Sequence, residues 1–88
     1  MQLWRIELLE GLKEKEKVVG IKQSLKQLNK GTVKEVFIAD DADKQLLRDI
    51  EELCRKKSIN VVHIDTMKEL GKISGIDVGA SVMCTLEE

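Results

Sequence analysis

Two short segments rich in branched apolar residues, Val33–Ala39 and residues 59–64, most constrain the fold of this chain. Each has the length and the β-branched content of a buried strand. The segment between them carries apolar residues at helical spacing, and Asp41 or Asp43 can cap it as a helix. A strand, a helix and a second strand in this order predict a right-handed βαβ unit with one parallel pair of strands.

The remaining segments continue this alternation. Residues 3–12 carry apolar side chains at helical spacing, and residues 18–19 form a very short strand. A second helix is predicted over residues 20–28, with Gly31 as its stop. Thr66 and Glu69 form a capping-box pattern for a fourth helix, and an alternating segment over residues 80–86 predicts a last strand.

Together these elements predict an α/β domain, with helices on both faces of a small sheet. We expect β-strands outside the parallel pair to be antiparallel, which makes the four-stranded sheet mixed. The chain has 88 residues and no linker-like stretch, so residues 1–88 are expected to form a single domain.

Composition narrows the function classes. No apolar stretch is long enough to span a bilayer, and the first residues lack the apolar core of a signal peptide, so a cytoplasmic protein is expected. Cys54 and Cys84 are far apart, which fits buried, reduced thiols better than a disulfide or a zinc site. Trp4 and Phe37 are the only aromatic residues, so base stacking on surface aromatics is disfavoured.

The charges are unevenly distributed, although the formal net charge is only −1. The segment from residue 17 to residue 34 contains no acidic residue and five lysines, namely Lys17, Lys22, Lys26, Lys30 and Lys34. The acidic residues gather elsewhere, so the molecule should present a lysine-rich region that the net charge conceals.

The second predicted helix places two kinds of side chain on opposite sides. Ile21, Leu25 and Leu28 are expected to face the sheet, whereas the opposite side carries Lys22, Gln23, Lys26, Gln27 and Lys30. Lysines contact phosphates without reading sequence, and lysine or glutamine can also donate to guanine O6 and N7. The alternative is an ordinary solvated face, since any amphipathic helix has a polar side.

A second candidate for binding lies far away in the sequence. Residues 75–80 hold two apolar residues, Ile76 and Val78, between glycines just before the last strand. Exposed apolar residues on such a loop suit contact with an unstacked base. The alternative is that Ile76 and Val78 fold back onto the core.

These residues, taken in order, resemble the ribosomal protein L-seven-Ae (L7Ae) family of kink-turn RNA-binding proteins. The similarity extends from about residue 18 to residue 82, through the runs Gly20-Ile21-Lys22-Gln23-Ser24-Leu25-Lys26, Lys30-Gly31, Val36-Phe37-Ile38-Ala39-Asp40-Asp41-Ala42-Asp43, Leu53-Cys54, Leu70-Gly71-Lys72-Ile73-Ser74-Gly75 and Ile76-Asp77-Val78-Gly79-Ala80. The resemblance implies a three-layer α/β/α sandwich that binds kink-turns, which are sharply bent RNA duplexes with tandem sheared G·A pairs beside a bulge.

The resemblance also implies two contact regions. The start of the second helix would contact the G·A pairs through Gly20, Lys22, Gln23 and Lys26. The loop before the last strand would pack against a bulged nucleotide through Ile76, Asp77, Val78, Gly79 and Ala80. The chain departs from the usual family pattern at Lys22-Gln23, where Asn-Glu is common, and at Lys44, where proline is common. The Lys-Gln version is similar to the small bacterial members.

Two other function classes stay open at this point. Asp40, Asp41 and Asp43 follow a predicted parallel strand, where α/β enzymes often place metal-binding or catalytic acids. Helix capping explains the same residues, and His63, in the middle of a strand, is read as structural. A protein-binding module could instead use the acids of the third predicted helix, Asp49, Glu51 and Glu52.

The sequence therefore predicts a monomeric RNA-binding protein without a metal ion, a cofactor or a catalytic residue. Its partner is expected to be structured RNA containing a kink-turn. Whether that RNA is ribosomal, and whether the protein is a stable part of a ribosome, stays open at the level of the sequence.

Overall fold

The computed structural model describes residues 17–86, and the helix predicted over residues 3–12 lies outside this range. The elements within it are β1 (Lys17–Val19), α1 (Ile21–Lys30), β2 (Val33–Ala39), α2 (Lys44–Lys56), β3 (Asn60–Ile64), α3 (Met67–Ser74) and β4 (Val82–Leu86). Each element predicted within residues 17–86 is present, with shifts of one or two residues at some ends.

The sheet has the strand order β1-β4-β2-β3. Strands β2 and β3 are parallel, with Phe37 opposite Val62, which confirms the predicted βαβ unit. Strand β4 is antiparallel to both β1 and β2, so the sheet is mixed as expected. The last strand of the chain therefore lies in the interior of the sheet and connects β1 to the parallel pair.

Alternating residues of β2 supply the cores on the two faces of the sheet. Val36 and Ile38 pack in a cluster with Leu28 of α1 and with Ile50 and Cys54 of α2. The intervening residues face the other way and pack against α3, in a cluster that includes Phe37, Ala39, Leu70 and Ile73. Helices α1 and α2 thus cover one face and α3 the other, which confirms the three-layer α/β/α sandwich.

The burial of the strands follows their positions in the sheet. In β4, Met83 and Thr85 are as fully buried as Val82, because strands flank β4 on both sides and helices cover both faces. Strand β3 lies at an edge, where only Ile64 is fully buried and His63 is exposed. The expectation of a buried strand over residues 59–64 was therefore wrong for most of its length, since an edge strand is only partly covered.

Side chains and glycines define the helix ends. The Asp43 carboxylate accepts a hydrogen bond from the Leu46 N–H at 3.0 Å, so Asp43, and not Asp41, caps α2. The Thr66 hydroxyl accepts from the Glu69 N–H at 3.1 Å and caps α3. These interactions satisfy N–H groups that have no partner within the helix.

Both cysteines are buried and free, as predicted. They lie in the same cluster on the α1/α2 face of the sheet. Burial raises the pKa of the Cys54 thiol from 9.0 to about 11 and also raises the pKa of Cys84, because a thiolate is poorly solvated in an apolar interior. The described residues include no helix that is long and apolar enough to cross a membrane.

Candidate nucleic-acid interface

Helix α1 begins immediately after Gly20, which joins it to β1. The Gly20 backbone has φ 105°, a conformation that side-chain-bearing residues rarely adopt. In this conformation the Gly20 N–H donates to the Val82 carbonyl oxygen at 2.9 Å, while the Gly20 carbonyl accepts from the Ser24 N–H at 3.1 Å. The first turn of α1 is therefore fixed to the first residue of β4.

The outer face of α1 carries the predicted polar residues. Lys22, Gln23, Lys26 and Lys30 are all exposed. The first turn contains no acidic residue, and its N-cap residue, Gly20, provides no side-chain hydrogen bond to the helix. Among residues 17–86, no carboxylate lies within ion-pair distance of these three lysines. This face therefore presents cationic and carboxamide groups together with a positive helix end.

The inner face of α1 differs from the prediction at its start. Leu28 is fully buried and Leu25 is half-buried, but Ile21 is 38% exposed. Ser24 is fully buried. The expectation that Ile21 faces the sheet was wrong, because the helix begins beside the rim of the sheet and only its later turns lie over the sheet.

The second predicted region, residues 75–80, lies in the α3–β4 loop (residues 75–81), which folds back over α3. Helix α3 ends at Gly75 with a left-handed φ of 81°. The Ile76 N–H then donates to the Gly71 carbonyl at 3.0 Å, and the Ala80 N–H donates to the Met67 carbonyl at 3.0 Å. The loop is thus tied to α3 at both of its ends.

Side chains of the α3–β4 loop fall into two groups. Asp77, Val78 and Gly79 are exposed. Val78 is 70% exposed, compared with 38% for Ile21, the other large apolar side chain exposed within residues 17–86. Ile76 is half-buried and packs against the core on the α3 face, and Ala80 is only 5% exposed. The alternative of packing onto the core thus holds for Ile76 but not for Val78.

Backbone contacts bring the two predicted regions to the same end of the sheet. At the end of the loop, the Ser81 carbonyl accepts from the Ala39 N–H at 3.0 Å, and the next carbonyl, that of Val82, accepts from Gly20. We name the exposed residues at this end the loop–helix surface: Lys22, Gln23, Lys26, Asp77, Val78 and Gly79. Lys30 is not part of it, because it lies at the far end of α1, about 12–15 Å away by helix geometry.

The aspartates after β2 have structural partners. The Asp40 Oδ1 and the His63 Nδ1 are 2.6 Å apart, and the Asp41 Oδ1 accepts from the Met67 N–H at 2.8 Å. Asp43 caps α2. Within residues 17–86, no group of three or more His, Cys, Asp or Glu side chains is placed to hold a metal ion. The capping and hydrogen-bonding explanation of this cluster accounts for each of its carboxylates.

Two residues that shape the loop were not identified by sequence reasoning. Local patterns indicate a helix cap or an acidic cluster at Asp41, but its contact with Met67 spans 26 residues of sequence. Gly71 is buried inside α3, and a Cβ there would lie 2.1 Å from the Val78 carbonyl oxygen. A glycine in the interior of a helix is unfavourable by roughly 1 kcal/mol relative to alanine. Its position inside a predicted helix is therefore the one feature of the sequence that indicates a close approach of another backbone segment to Gly71.

Known proteins with similar sequences support an assignment to a family. Residues 4–88 match the model described as the ribosomal protein L7Ae/L30e/S12e/Gadd45 family. An RNA-binding protein of Caldanaerobacter subterraneus subsp. tengcongensis is 51% identical over 65 residues, which cover 74% of this chain and 79% of that protein. An RNA-binding protein of Halalkalibacterium halodurans is 44% identical over 66 residues, covering 75% and 80%.

Solved structures agree with this relationship. The 15.5kD RNA-binding protein of Giardia lamblia superposes with a TM-score of 0.80 at 26% identity, covering 92% of this chain and 68% of that one. A protein of unknown function from Bacillus halodurans superposes with a TM-score of 0.84 at 20% identity, covering 99% and 87%, which shows the shared fold. On the match over residues 4–88 and the identity to its bacterial relatives, the chain belongs to the ribosomal protein L7Ae/L30e/S12e/Gadd45 family.

Proposed function

We propose that this protein binds structured RNA and recognises kink-turns through the loop–helix surface. The bacterial relatives and the Giardia structure carry the name RNA-binding protein, which supports RNA as the ligand class. The single observation that carries the proposal is the hydrogen bond from Gly20 to Val82, since it joins the first turn of α1 to the end of the α3–β4 loop.

The chemistry of α1 suits one half of this recognition. Lys22 and Lys26 are exposed one helical turn apart, so both ammonium groups can reach phosphates on the same side of an RNA backbone. The Gln23 carboxamide can donate and accept at the same time, which matches the mixed donors and acceptors on the edges of guanine and adenine. Lys30 would contact phosphates further along the same RNA arm.

The loop supplies a different kind of contact. Val78 offers an exposed apolar side chain, and the neighbouring Gly79 is exposed beside it. A bulged nucleotide that stacks outside the duplex has an apolar face that such a residue can cover. In this proposal Ile76 and Ala80 hold the loop on the core, and Asp77, Val78 and Gly79 face the RNA.

The distribution of aromatic residues favours recognition of RNA shape. Phe37 is the only Phe, Trp or Tyr within residues 17–86 and is fully buried, so none of these three side chains is available there for stacking with single-stranded bases. A surface without such rings suits a folded RNA whose bent backbone meets two protein regions at once. Binding would then shift the RNA population from the extended toward the kinked form without any chemical step.

The charges of α2 give little support to the alternative of a protein-binding module. Beside its three acids, Asp49, Glu51 and Glu52, helix α2 carries four basic residues, Lys44, Arg48, Arg55 and Lys56. The Lys56 Nζ lies 3.6 Å from the Glu52 carboxylate. The helix therefore presents a mixed, solvated face and no acidic patch for a basic partner.

The family description includes ribosomal proteins, so a kink-turn of ribosomal RNA in the cytoplasm is the first biological target that we propose. We propose that the protein binds it as a monomer, because Ile21 and Val78 are the only large apolar side chains exposed within residues 17–86. Two exposed side chains of this kind are too few to form an extended apolar face for a second subunit within residues 17–86.

The test is a titration of the protein into a kink-turn RNA labelled to report its end-to-end distance, at low Mg²⁺ and several salt concentrations. The comparison RNA is the same duplex without the G·A pairs. We expect tight binding and bending of the first RNA only, with affinity falling as salt rises because phosphate contacts release counterions. Equal binding to the two RNAs would contradict kink-turn recognition.

The chain offers a matched control for the contact residues. The double variant Lys22→Ala/Gln23→Ala should abolish the preference for the kink-turn. The double variant Lys44→Ala/Gln45→Ala removes the same two residue types from the first turn of α2 and should leave binding unchanged. An equal loss in both variants would mean that only overall charge matters.

A further inference from the structure

The carboxylate of Asp41 connects two elements that are distant in sequence. Asp41 lies in the turn after β2, and its Oδ1 accepts the N–H of Met67 at 2.8 Å. Met67 is the first residue of α3, whose N–H has no partner within the helix. The neighbouring Thr66 hydroxyl accepts from the Glu69 N–H, so two side chains, those of Asp41 and Thr66, cap the N-terminus of α3.

Met67 is also the residue on which the end of the α3–β4 loop rests. Its carbonyl oxygen accepts the Ala80 N–H at 3.0 Å. Gly79 packs directly against it, because a Cβ at Gly79 would lie 3.2 Å from the Met67 Cβ. The exposed Val78 immediately precedes Gly79 in the loop, so its location depends on where Met67 lies.

We infer that Asp41 is a positioning residue for RNA recognition. Its carboxylate fixes Met67, and Met67 in turn fixes the α3–β4 loop. The path runs from the Asp41 carboxylate to the Met67 N–H, and from the Met67 carbonyl to the Ala80 N–H. This inference rests on the proposed function of the loop. Asp41 itself need not touch the RNA.

The physical effect is one of preorganisation. Without the Asp41 acceptor, the first turn of α3 loses one of its two side-chain caps and the loop loses a fixed support. The loop then samples more conformations in the free protein, and binding has to order it again. The expected consequence is weaker binding of a kink-turn at unchanged RNA contacts.

Asp43 provides a matched control for Asp41. Both are exposed aspartates in the same turn, and each accepts a backbone N–H from the start of a helix, at 2.8 Å for Asp41 and 3.0 Å for Asp43. Helix α2, which Asp43 caps, carries none of the predicted RNA-contact residues. A loss of helix capping alone would therefore affect the two aspartates alike, whereas positioning of the loop is specific to Asp41.

The binding experiment compares Asp41→Ala, Asp41→Asn and Asp43→Ala with the unaltered protein on the kink-turn RNA. We expect Asp41→Ala to weaken binding about three- to tenfold, which corresponds to roughly one hydrogen bond, and Asp43→Ala to change it less than about twofold. Asp41→Asn should retain affinity, because its amide oxygen can still accept from Met67. Asp41→Ala and Asp41→Asn remove the same negative charge, so their difference isolates the hydrogen bond.

A second readout needs no RNA. Amide hydrogen exchange at Ala80 should be faster in Asp41→Ala than in either Asp43→Ala or Asp41→Asn, since the Ala80 N–H is bonded to Met67. Unchanged protection of Ala80 in Asp41→Ala would overturn the inference, as would faster exchange without any loss of affinity. If the unaltered protein fails to bind a kink-turn, the proposed function falls, and the exchange result still decides whether Asp41 holds the loop.

Discussion

The α-carbon of Gly71 in helix α3 faces the carbonyl oxygen of Val78 so closely that a Cβ would lie 2.1 Å from it. The Gly71 carbonyl also accepts the N–H of Ile76 at 3.0 Å. The two backbones therefore approach without an intervening side chain, and this contact sets how far Val78 stands above α3. A glycine at this position is a requirement of the loop.

Replacing Gly71 with alanine should destabilise the protein, against the usual benefit of alanine in a helix. We expect a loss of about 1–3 kcal/mol in the free energy of unfolding, because the methyl group meets backbone that cannot move away freely. Kink-turn affinity should fall as well, since the loop is displaced. Urea unfolding measures the change in the free energy of unfolding, with Lys72→Ala as the control. A Gly71→Ala variant that is more stable than the unaltered protein would show that the loop backbone moves away from the added methyl group at little cost.

The two apolar residues of the loop should separate stability from binding. Val78→Ser should change the free energy of unfolding by less than about 0.5 kcal/mol, because the side chain is already exposed. It should weaken kink-turn binding about fivefold by removing apolar contact area. Ile76→Ala should instead lower stability by about 1–2 kcal/mol, since Ile76 packs on the core. Unaltered RNA affinity in Val78→Ser would remove Val78 from the interface.

Gly20 and Gly31 form a matched pair at the two ends of α1. Both have positive φ, 105° and 74°, and a Cβ at either position meets no atom within 4 Å. Alanine at Gly31, which has a left-handed αL backbone, should lower the free energy of unfolding by about 1 kcal/mol through backbone strain. Alanine at Gly20 should lower it by more, about 2–3 kcal/mol, because φ 105° with ψ 159° is a conformation essentially restricted to glycine. Only Gly20→Ala should weaken kink-turn binding, because Gly31 lies far from the loop. Equal RNA affinities in the two variants would argue against a role for the Gly20 junction.

Much of the fold could be predicted from local sequence patterns. The β-branched run of β2, the caps Asp43 and Thr66 and the glycine at the end of α3 each act within a few residues, so the sequence alone indicates them. The two predicted contact regions were also located from local features, namely lysine spacing and loop glycines, and their contact with RNA stays a prediction. Their assignment to RNA came from resemblance to a family, since polar helix faces and glycine loops occur in many functions.

What could not be predicted depends on the arrangement of elements in space. The exposure of Ile21 follows from the start of α1 at the rim of the sheet, and the edge position of β3 follows from the strand order. The contact between Asp41 and Met67 requires the loops after β2 and β3 to meet, which parallel neighbouring strands ensure. A periodicity argument treats one element at a time and contains no information on such contacts.

The stability of the protein should fall at alkaline pH because of Cys54. Its pKa is raised to about 11 in the folded protein, whereas the unfolded thiol ionises near 9.0. As the pH rises, the thiol of the unfolded state therefore loses its proton first. The free energy of unfolding is unaffected by the ionisation of Cys54 below about pH 9 and falls between about pH 9 and 11, by up to roughly 2–3 kcal/mol in total.

The Cys54→Ala variant serves as the control for this pH dependence. Between about pH 8 and pH 11 the stability gap between the unaltered protein and Cys54→Ala should narrow, because only the former contains the Cys54 thiol, whereas Cys84 is present in both. Urea unfolding at several pH values measures this gap. A gap that stays constant over the range would show that Cys54 ionises equally in both states.

The most direct test of the central claim is an NMR titration of the isotope-labelled protein with a kink-turn RNA. If the loop–helix surface binds the RNA as one unit, the amide signals of residues 20–26 and 75–80 shift together and saturate at the same RNA concentration. Signals of Glu51, Glu52 and Lys57, which lie outside this surface, stay in place. Shifts confined to α2, or to only one of the two regions, would contradict the claim that they form a single kink-turn interface.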